Sequence, residues 1–373
     1  MPAKTRTSKK KRRKTPPPGP PRPKAKAIGK NAFVALSSAF RRDIDVRLQR
    51  FLDDKLEQTK PHGQEVVELV RSMRELCLRG GKRTRPALLI TGYRAATPSA
   101  AIEPALDAGV ALELLHAYFL IHDDWMDDDS VRRGGPAVHT WLSERLHSRR
   151  LGDRAGILAG DLACSYAQEA LSRVQISPSR MLRALACFAE MQNAAIYGQE
   201  LDIVARAPNP EKVYELKTAS YTVSGPLRLG ALLGGGGQGL LDTLDRFALP
   251  AGVAFQLRDD LLGVFGDPEQ TGKPYGSDLK SGKRTPLLLA GLKRARGKDH
   301  RLLKSVVGNG KAKRTDLARA IEVLERSGAR EQVEGRIAEL VREAMAALQS
   351  SKLSKDARLL LEGAARAMTT RVS

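Results

Sequence analysis

The chain has 373 residues, of which 42% are hydrophobic, so it is long enough to bury one large core or two smaller ones. Its three cysteines are widely spaced in apolar surroundings, which excludes a disulfide or zinc framework. No uncharged apolar run reaches the roughly 18–20 residues that span a bilayer. We therefore expect a soluble, cytoplasmic protein. Because aromatic residues make up only 5% and Ala, Leu, Arg and Glu dominate, we expect its fold to be all-α.

The formal net charge of +21 is concentrated at the start of the chain. Residues 1–30 hold twelve Lys or Arg, no acidic residue and a proline-rich run at 16–21. Such a segment repels itself and lacks the apolar side chains that would offset the entropy lost on ordering. We predict a disordered basic tail over 1–30 and a single all-helical domain over 31–373. That domain keeps a net charge of +9, which suits a protein that handles anions such as phosphates.

Helical periodicity runs through the rest of the chain. Two apolar stripes come first, and the second ends at Gly80 and Gly81, a natural helix stop. Further helices are predicted around 155–175, 180–206, 211–233, 241–264, 284–296, 315–327 and 331–349. The glycine run 234–237 lacks the Gly-Lys-Ser/Thr ending of a phosphate-binding loop, and no strand precedes it, so we interpret it as a connection between helices.

The most informative segment is 105–122, which is apolar nearly all round and therefore typical of a helix at the centre of a bundle. Five acids follow it within 123–129. Asp123 and Asp127 are four residues apart, so on a helix their carboxylates project side by side and need cations to relieve their repulsion. Mg²⁺ fits, because it is usually held by one or two carboxylates together with substrate phosphates. The alternative is a solvated acidic turn, which the preceding apolar helix disfavours.

A second acidic pair, Asp259 and Asp260, also emerges from an apolar helix. Two such helices facing each other would form a metal-binding mouth over an apolar cavity, with a diphosphate between them. Basic side chains supply the counterpart, since arginine forks match phosphate oxygens and lysine acts as a point charge. The basic candidates are Lys82, Arg83, Arg85, Arg132, Arg133, Lys217, Lys273 and Lys283.

In this order the motifs resemble those of the trans-prenyl diphosphate synthase family, also called polyprenyl synthetases, over roughly residues 40–350. The motifs are GGKRTRP at 80–86, DDWMD at 123–127, RRG at 132–134, GQELD at 198–202, KT at 217–218, FQ at 255–256, DD at 259–260, TGKP at 271–274 and DLKSGKRT at 278–285. The resemblance implies an antiparallel helical bundle around a deep central cavity, of the isoprenoid synthase type, in a homodimer. It also implies condensation of isopentenyl diphosphate with an allylic diphosphate.

The resemblance assigns roles to residues at the matching positions. The Mg²⁺ ligands would be Asp123, Asp127 and Asp259. The allylic diphosphate would be gripped by Arg132, Lys217 and Lys273, with Gln199, Thr218 and Gln256 lining the site. The diphosphate of isopentenyl diphosphate would be bound by Lys82, Arg85, His116 and Arg133.

The ligand role of His116 has a plain alternative, because a lone histidine on an apolar helix is often a satisfied core residue. Its position seven residues before Asp123 places it on the same helix face, which favours the ligand role. One departure from the family pattern is Gly263, which stands where a third aspartate usually follows Asp259 by four residues. Asp259 can still bind a metal with phosphate and water, so the expected activity stands.

Two aromatic residues bear on product length. Phe119 lies four residues before Asp123, about 6 Å deeper on nearly the same helix face, with Tyr118 beside it. These rings either form the floor of the product cavity or are packing residues. Similar proteins with aromatics at both positions tend to stop at fifteen carbons, so the resemblance favours farnesyl over geranylgeranyl diphosphate.

Three other functions stay open from the sequence. A terpene cyclase would share the first acidic motif but has no need of a second diphosphate site such as Lys82 and Arg85. The basic tail could bind nucleic acid or an anionic membrane through phosphate contacts. Gly263 also leaves open an inactive partner subunit.

Overall fold

The computed structural model describes residues 32–204, 209–266 and 276–370, and these are helical almost throughout. The first six helices are α1 Ala32–Thr59, α2 Gln64–Leu78, α3 Thr84–Ala96, α4 Glu103–Met126, α5 Val138–Arg145 and α6 Arg149–Ser172. Next come α7 Pro178–Ile203, α8 Pro210–Tyr214, a π-helical segment Glu215–Ser224, α9 Gly225–Leu233 and α10 Gln238–Phe265. The last six are α11 Ser277–Ser281, α12 Pro286–Arg294, α13 Gly297–Val306, α14 Arg314–Arg326, α15 Ala329–Gln349 and α16 Lys355–Thr369.

The all-α prediction is confirmed. A 3₁₀ turn at Lys60–His62 follows α1, and the strands in the described ranges are β1 Val131–Arg132 and β2 Gly135–Pro136, a minimal antiparallel pair. The structure adds α3, α5, α11, α13 and α16 to the predicted helices, and the glycine run 234–237 does connect α9 to α10. The predicted tail over 1–30 lies outside the described residues.

Helix α4 lies at the centre of the bundle, as its apolar sequence predicts. Its first two thirds are almost completely buried against α3 and α6, and burial ends only near the acidic motif. This helix is also long and apolar enough, by length and composition alone, to cross a membrane, but most of it is covered by the rest of the protein. The apolar packing of α4 therefore fixes where the acids at its end emerge.

Two apolar clusters make up the core, and α10 joins them. Phe247, Ala251 and Phe255 belong to the larger cluster around α4, whereas Leu257 and Leu261 belong to a smaller one with α12, α14 and α15. The end of α10 that carries Asp259 therefore lies where the two clusters meet. The predicted single domain stays a prediction.

The π-helical segment Glu215–Ser224 is wedged between α7 and α10. A Cβ on Gly198 of α7 would come within 2.7 Å of the Lys217 Cα, and one on Gly252 of α10 would come within 2.5 Å of the Ala219 Cα. These glycines let both helices approach the segment's backbone closely, and the wider helical turn changes which side chains share a face. Lys217, Thr218 and Tyr221 thereby point to the same side.

Candidate active site

A cavity of about 500 Å³ opens among α3, α4, α7, the π-helical segment and α10, within the ~300–1,000 Å³ typical of ligand pockets. It lies directly below the acidic end of α4. Most of the predicted site residues line it: Lys82, Arg85, His116, Tyr118, Phe119, Asp123, Arg133, Gln199, Lys217, Thr218, Gln256 and Asp259. Asp127 and Arg132 lie outside the lining of this cavity. Lys273 lies outside the described residues.

The predicted metal ligands lie on two separate helices, Asp123 and Asp127 at the end of α4 and Asp259 near the end of α10. Within the described ranges, no three acidic, histidine or cysteine side chains converge closely enough to enclose a metal ion by themselves. Asp123 Oδ1 is buried and makes no hydrogen bond in this part of the chain, and its ion-pair partner, Lys217 Nζ, is 3.5 Å away. Such an orphaned carboxylate oxygen fits a cation that a bound diphosphate would help to hold.

The charge of Asp127 supports the same interpretation. Burial and the neighbouring Asp123 carboxylate raise the pKa of Asp127, while Lys217 opposes that rise. A carboxylate whose pKa is raised by a neighbouring carboxylate gains from a cation that both can share. The ligand roles of Asp123, Asp127 and Asp259 stay predictions.

Arg132 is engaged differently from the prediction of a diphosphate contact. Its Nε donates to Asp124 Oδ1 at 2.6 Å, and its Nη2 lies 3.2 Å from Asp129 Oδ2. Asp124 is fully buried, and burial raises its pKa to about 6 even though Arg132 opposes the rise. The guanidinium therefore neutralises the interior acid of the motif, and a diphosphate would have to compete with two carboxylates for it.

Two lysines occupy the space between the acidic groups. Lys217 Nζ donates to Asp202 Oδ2 at 2.7 Å and also faces Asp123. Lys283 is half-buried, and although desolvation opposes it, Asp260, Asp202 and Asp278 raise its pKa. Both cations lie where negative charge is densest, so they can neutralise either the carboxylates or an incoming phosphate.

Asp260 serves a different purpose from Asp259. Its side chain is buried and accepts hydrogen bonds from the Tyr214 hydroxyl and, at 3.0 Å, from Gln256 Nε2. Gln256 Oε1 in turn accepts from the Thr218 hydroxyl at 2.8 Å. This chain orients two predicted binding residues, so Asp260 acts through its neighbours rather than on substrate.

The second set of cations surrounds His116. Its Nδ1 lies 2.6 Å from the Tyr221 hydroxyl, and burial, followed by the charges of Arg85 and Arg133, holds its pKa well below the usual value. The guanidinium of Arg85 stacks 4.2 Å from the centre of the Tyr221 ring and donates to the Thr222 hydroxyl at 2.9 Å. A neutral histidine among these cations suits the recognition of an anion, since it adds a donor without further repulsion.

Arg85 and Arg133 form no ion pair with an acid in the described part of the chain. Arg85 Nε is buried and has no hydrogen-bond partner in the described part of the chain. Burial lowers the pKa of Arg133, whose backbone adopts a left-handed conformation with φ of 52°. Cationic groups held in this way are prepared for an anionic ligand.

Arg83 lies beside these cations, but its side-chain contacts stabilise the fold. Its side chain is buried and donates to Glu113, to Asp45 Oδ1 at 2.7 Å and to the Cys77 carbonyl at 2.9 Å. Its backbone is left-handed, with φ of 49°. Arg83 therefore ties the loop before α3 to α1 and α4 and positions Lys82 and Arg85 on either side of it.

The wall of the cavity below the acids is aromatic. The ring centroid of Phe119 lies 4.7 Å from that of Tyr118 and 4.7 Å from that of Tyr221. Gln199 lies opposite on α7, with its Nε2 3.7 Å from the Met126 sulfur. The rings therefore form a continuous surface from α4 to the π-helical segment.

Among the lining residues that sequence reasoning missed are Glu113, Tyr221 and Thr222. Glu113 is the single acid inside the otherwise apolar part of α4, and a buried acid requires a cationic partner, so its isolation was a usable signal. Tyr221 and Thr222 follow Lys217 and Thr218 by four residues, which a helical reading could have placed on the same face.

The fold and the site together define a class: an isoprenoid synthase, with an apolar cavity below charged groups carried by facing helices. The sequence model of the polyprenyl synthetase family matches residues 66–324, and the chain belongs to this family. The trans-prenyl diphosphate synthase resemblance is thereby confirmed.

Individual relatives agree with this family. A short chain isoprenyl diphosphate synthase of Methanothermobacter thermautotrophicus is 38% identical over 273 residues, which cover 70% of this chain and 78% of the relative. A farnesyl diphosphate synthase of Haemophilus influenzae is 33% identical over 278 residues, covering 71% and 88%. The structure of a geranylgeranyl pyrophosphate synthase from Corynebacterium glutamicum, complexed with isoprenyl diphosphate and magnesium, matches with a TM-score of 0.83 and 36% identity, covering 88% of this chain and 98% of that one.

The Arg83 anchor yields a stability prediction. Glu113→Gln removes the buried counter-charge of Arg83, and breaking such a pair typically costs about 3 kcal/mol or more in the free energy of unfolding. Glu57→Gln is the matched control, because Glu57 forms an exposed pair with Lys60 that contributes at most about 1 kcal/mol. Urea denaturation of both variants measures the difference, and equal losses would contradict the anchoring role.

Proposed function

We propose that this chain is a Mg²⁺-dependent short-chain prenyl diphosphate synthase that joins isopentenyl diphosphate to an allylic diphosphate. The observation that carries the proposal is the presence of two separate cation sets on one apolar cavity. Lys217 lies among the carboxylates, whereas Arg85 and Arg133 surround His116 deeper along the wall. Two anionic substrates would use both sets.

The reaction would break the allylic carbon–oxygen bond, join the resulting carbocation to the isopentenyl double bond and release a proton. When bound, Mg²⁺ supplies positive charge that stabilises the departing pyrophosphate. Lys217 would bind the same phosphate oxygens, and Arg85 and Arg133 would hold the second diphosphate so that its double bond faces the cation. The aromatic wall would exclude water, which otherwise traps the cation, and the released proton would pass to pyrophosphate.

We further propose farnesyl diphosphate as the main product. The support is the paired rings of Tyr118 and Phe119 on the cavity wall below Asp123. The growing chain extends away from the charged mouth, so bulky rings below it limit the available length. The relatives carry both farnesyl and geranylgeranyl names, and product sizing decides between them.

The competing functions use less of this site. A terpene cyclase needs one diphosphate site, and the cations around His116 would then have no role; turnover of a single allylic diphosphate without isopentenyl diphosphate would favour it. In an inactive subunit, the buried Asp123 Oδ1, which makes no hydrogen bond in the described part of the chain, would have no cation to bind. A nucleic-acid-binding function rests on the tail alone, because the cavity mouth is lined with carboxylates.

We propose that two copies of the chain assemble through α6 and α7. Leu158, Leu182 and Tyr197 are 59%, 70% and 60% exposed on these helices, which is unusual for large apolar side chains unless a partner covers them.

We also propose that the tail, residues 1–30, brings a cytoplasmic enzyme to anionic membranes, because its twelve cations, without any acid, are attracted to a negatively charged surface.

The metal assignment predicts a contrast between neighbouring aspartates. Asp123→Asn and Asp127→Asn should lower turnover by several orders of magnitude with the helical fold intact, because these carboxylates bind metal and not core. Asp128→Asn is the control, since Asp128 pairs with the exposed Arg149 and Asn tolerates its left-handed backbone. Labelled isopentenyl diphosphate, each allylic starter and Mg²⁺, followed by product sizing, is the assay. Near-wild-type turnover in either of the first two variants would contradict the assignment.

The floor assignment predicts a change in product length. Replacing Tyr118 and Phe119 together by Ala should shift products to longer chains, because it removes two rings from the cavity wall, at a cost of a few kcal/mol in stability. Phe51→Ala is the control, since Phe51 packs on Tyr166 away from the cavity. An unchanged product distribution in the folded double variant would show that the rings only pack.

The tail proposal predicts separable binding and catalysis. Deletion of residues 1–30 should leave kinetics in solution nearly unchanged but abolish salt-sensitive sedimentation with vesicles that contain anionic lipid. Neutral vesicles serve as the control. Retained vesicle binding would rule out the membrane role, and loss of turnover in the folded truncated protein would show that the tail contributes to catalysis.

A further inference from the structure

The departure from the family pattern at Gly263 has a structural counterpart. Gly263 lies on α10 one turn beyond Asp259, where the sequence lacks a carboxylate. A Cβ placed on Gly263 would overlap Asp278 Oδ2 and would lie 2.8 Å from the Asp278 Cγ. The carboxylate of Asp278, which belongs to α11, thus occupies the volume that a side chain at 263 would fill.

The backbone around Asp278 is held firmly. Glycines with left-handed backbone, Gly276 and Gly282, bound α11 on both sides, with φ of 69° and 72°. Leu279 is fully buried, and its carbonyl accepts from the Gly308 N–H at 2.9 Å. The Asp278 carbonyl accepts from the Lys283 N–H at 3.3 Å. These contacts fix the carboxylate against α10.

The charged groups around Asp278 also belong to the candidate active site. Asp278 is 8% exposed, so its carboxylate is largely removed from water. Its charge acts on Lys283 and on Asp260, which follows Asp259 directly in α10. A carboxylate placed here adds negative charge on the side of α10 from which Asp259 emerges.

We propose that Asp278 supplies, from α11, the carboxylate that position 263 lacks, and acts as a positioning residue for metal binding at Asp259. This inference rests on the proposed Mg²⁺-dependent function. Mg²⁺ keeps several of its waters when it binds, and nearby carboxylates that orient such waters typically contribute 10–100-fold in metal affinity. The missing i+4 aspartate is therefore a relocation of charge and not a loss of it.

The test uses Mg²⁺ and inorganic pyrophosphate without an allylic substrate, so that no turnover takes part. The full-length protein is titrated with Mg²⁺ at fixed pyrophosphate, and binding is followed by the rise in Tm and by calorimetry. Asp278→Ala and the nearly isosteric Asp278→Asn should both raise the Mg²⁺ concentration at half-saturation by about tenfold or more. Glu322→Ala, which removes an exposed acid on α14, is the control and should titrate like the wild type.

A relocation variant separates charge from packing. Gly263→Asp alone should lower Tm, because its Cβ overlaps Asp278, whereas Gly263→Asp combined with Asp278→Gly returns a carboxylate to α10 and should recover most of the Mg²⁺ affinity. If Asp278→Asn titrated with Mg²⁺ like the wild type, or if the double variant recovered no Mg²⁺ affinity, this inference would be overturned and the proposed function would stand. Absence of Mg²⁺-dependent pyrophosphate binding in the wild type would overturn it together with the proposed function.

Discussion

Mutual repulsion of carboxylates at the end of a buried helix is the constraint on which the rest of the site depends. Because α4 is apolar on all sides, its position in the bundle is set by packing, and the acids that follow must emerge where the packing ends. Burial raises the pKa of Asp124 to about 6, so the motif gains stability from every cation placed near it. The surrounding Arg and Lys side chains follow from this need.

The cations divide into those that stabilise the fold and those that remain for ligands. Arg83 and Arg132 are bound by buried acids and hold loops in place. Lys217 and Lys283 lie between carboxylates, and a bound metal would take over part of their neutralising role and let them turn to phosphate. Arg85 and Arg133, by contrast, face Tyr221 and His116, where acids are absent from the cavity wall except for Glu113, which Arg83 neutralises. Charge balance in the protein alone thus distinguishes the two sets of cations that the proposed function assigns to two diphosphates.

The sequence predicted the helical fold, and most of the site residues it predicted line the cavity, because both depend on local patterns. An all-round apolar helix followed by Asp123 and Asp127 at i and i+4 leaves few arrangements open. What could not be predicted depends on side chains brought together by the tertiary fold. The Arg83–Glu113 pair joins residues thirty positions apart. Arg132 donates to Asp124 because Asp124 is buried, and the acidic motif at 123–129 does not reveal in the sequence which of its acids is buried. Likewise, the sequence does not show that the Asp278 carboxylate occupies the space beside Gly263.

In the proposed reaction, activation of the leaving group and length of the product would depend on different parts of the molecule. Asp278 lies in α11 and Lys283 just after it, next to the smaller apolar cluster, whereas Tyr118 and Phe119 pack against the larger cluster around α4. One end of the proposed substrate would be recognised by charge, which depends on the net charge of the site, and the other end by volume, which depends on single aromatic rings. Since distant, independent sites contribute additively, the aromatic wall can change without disturbing the charged mouth. A family built on this plan can therefore vary its product length while its chemistry stays constant.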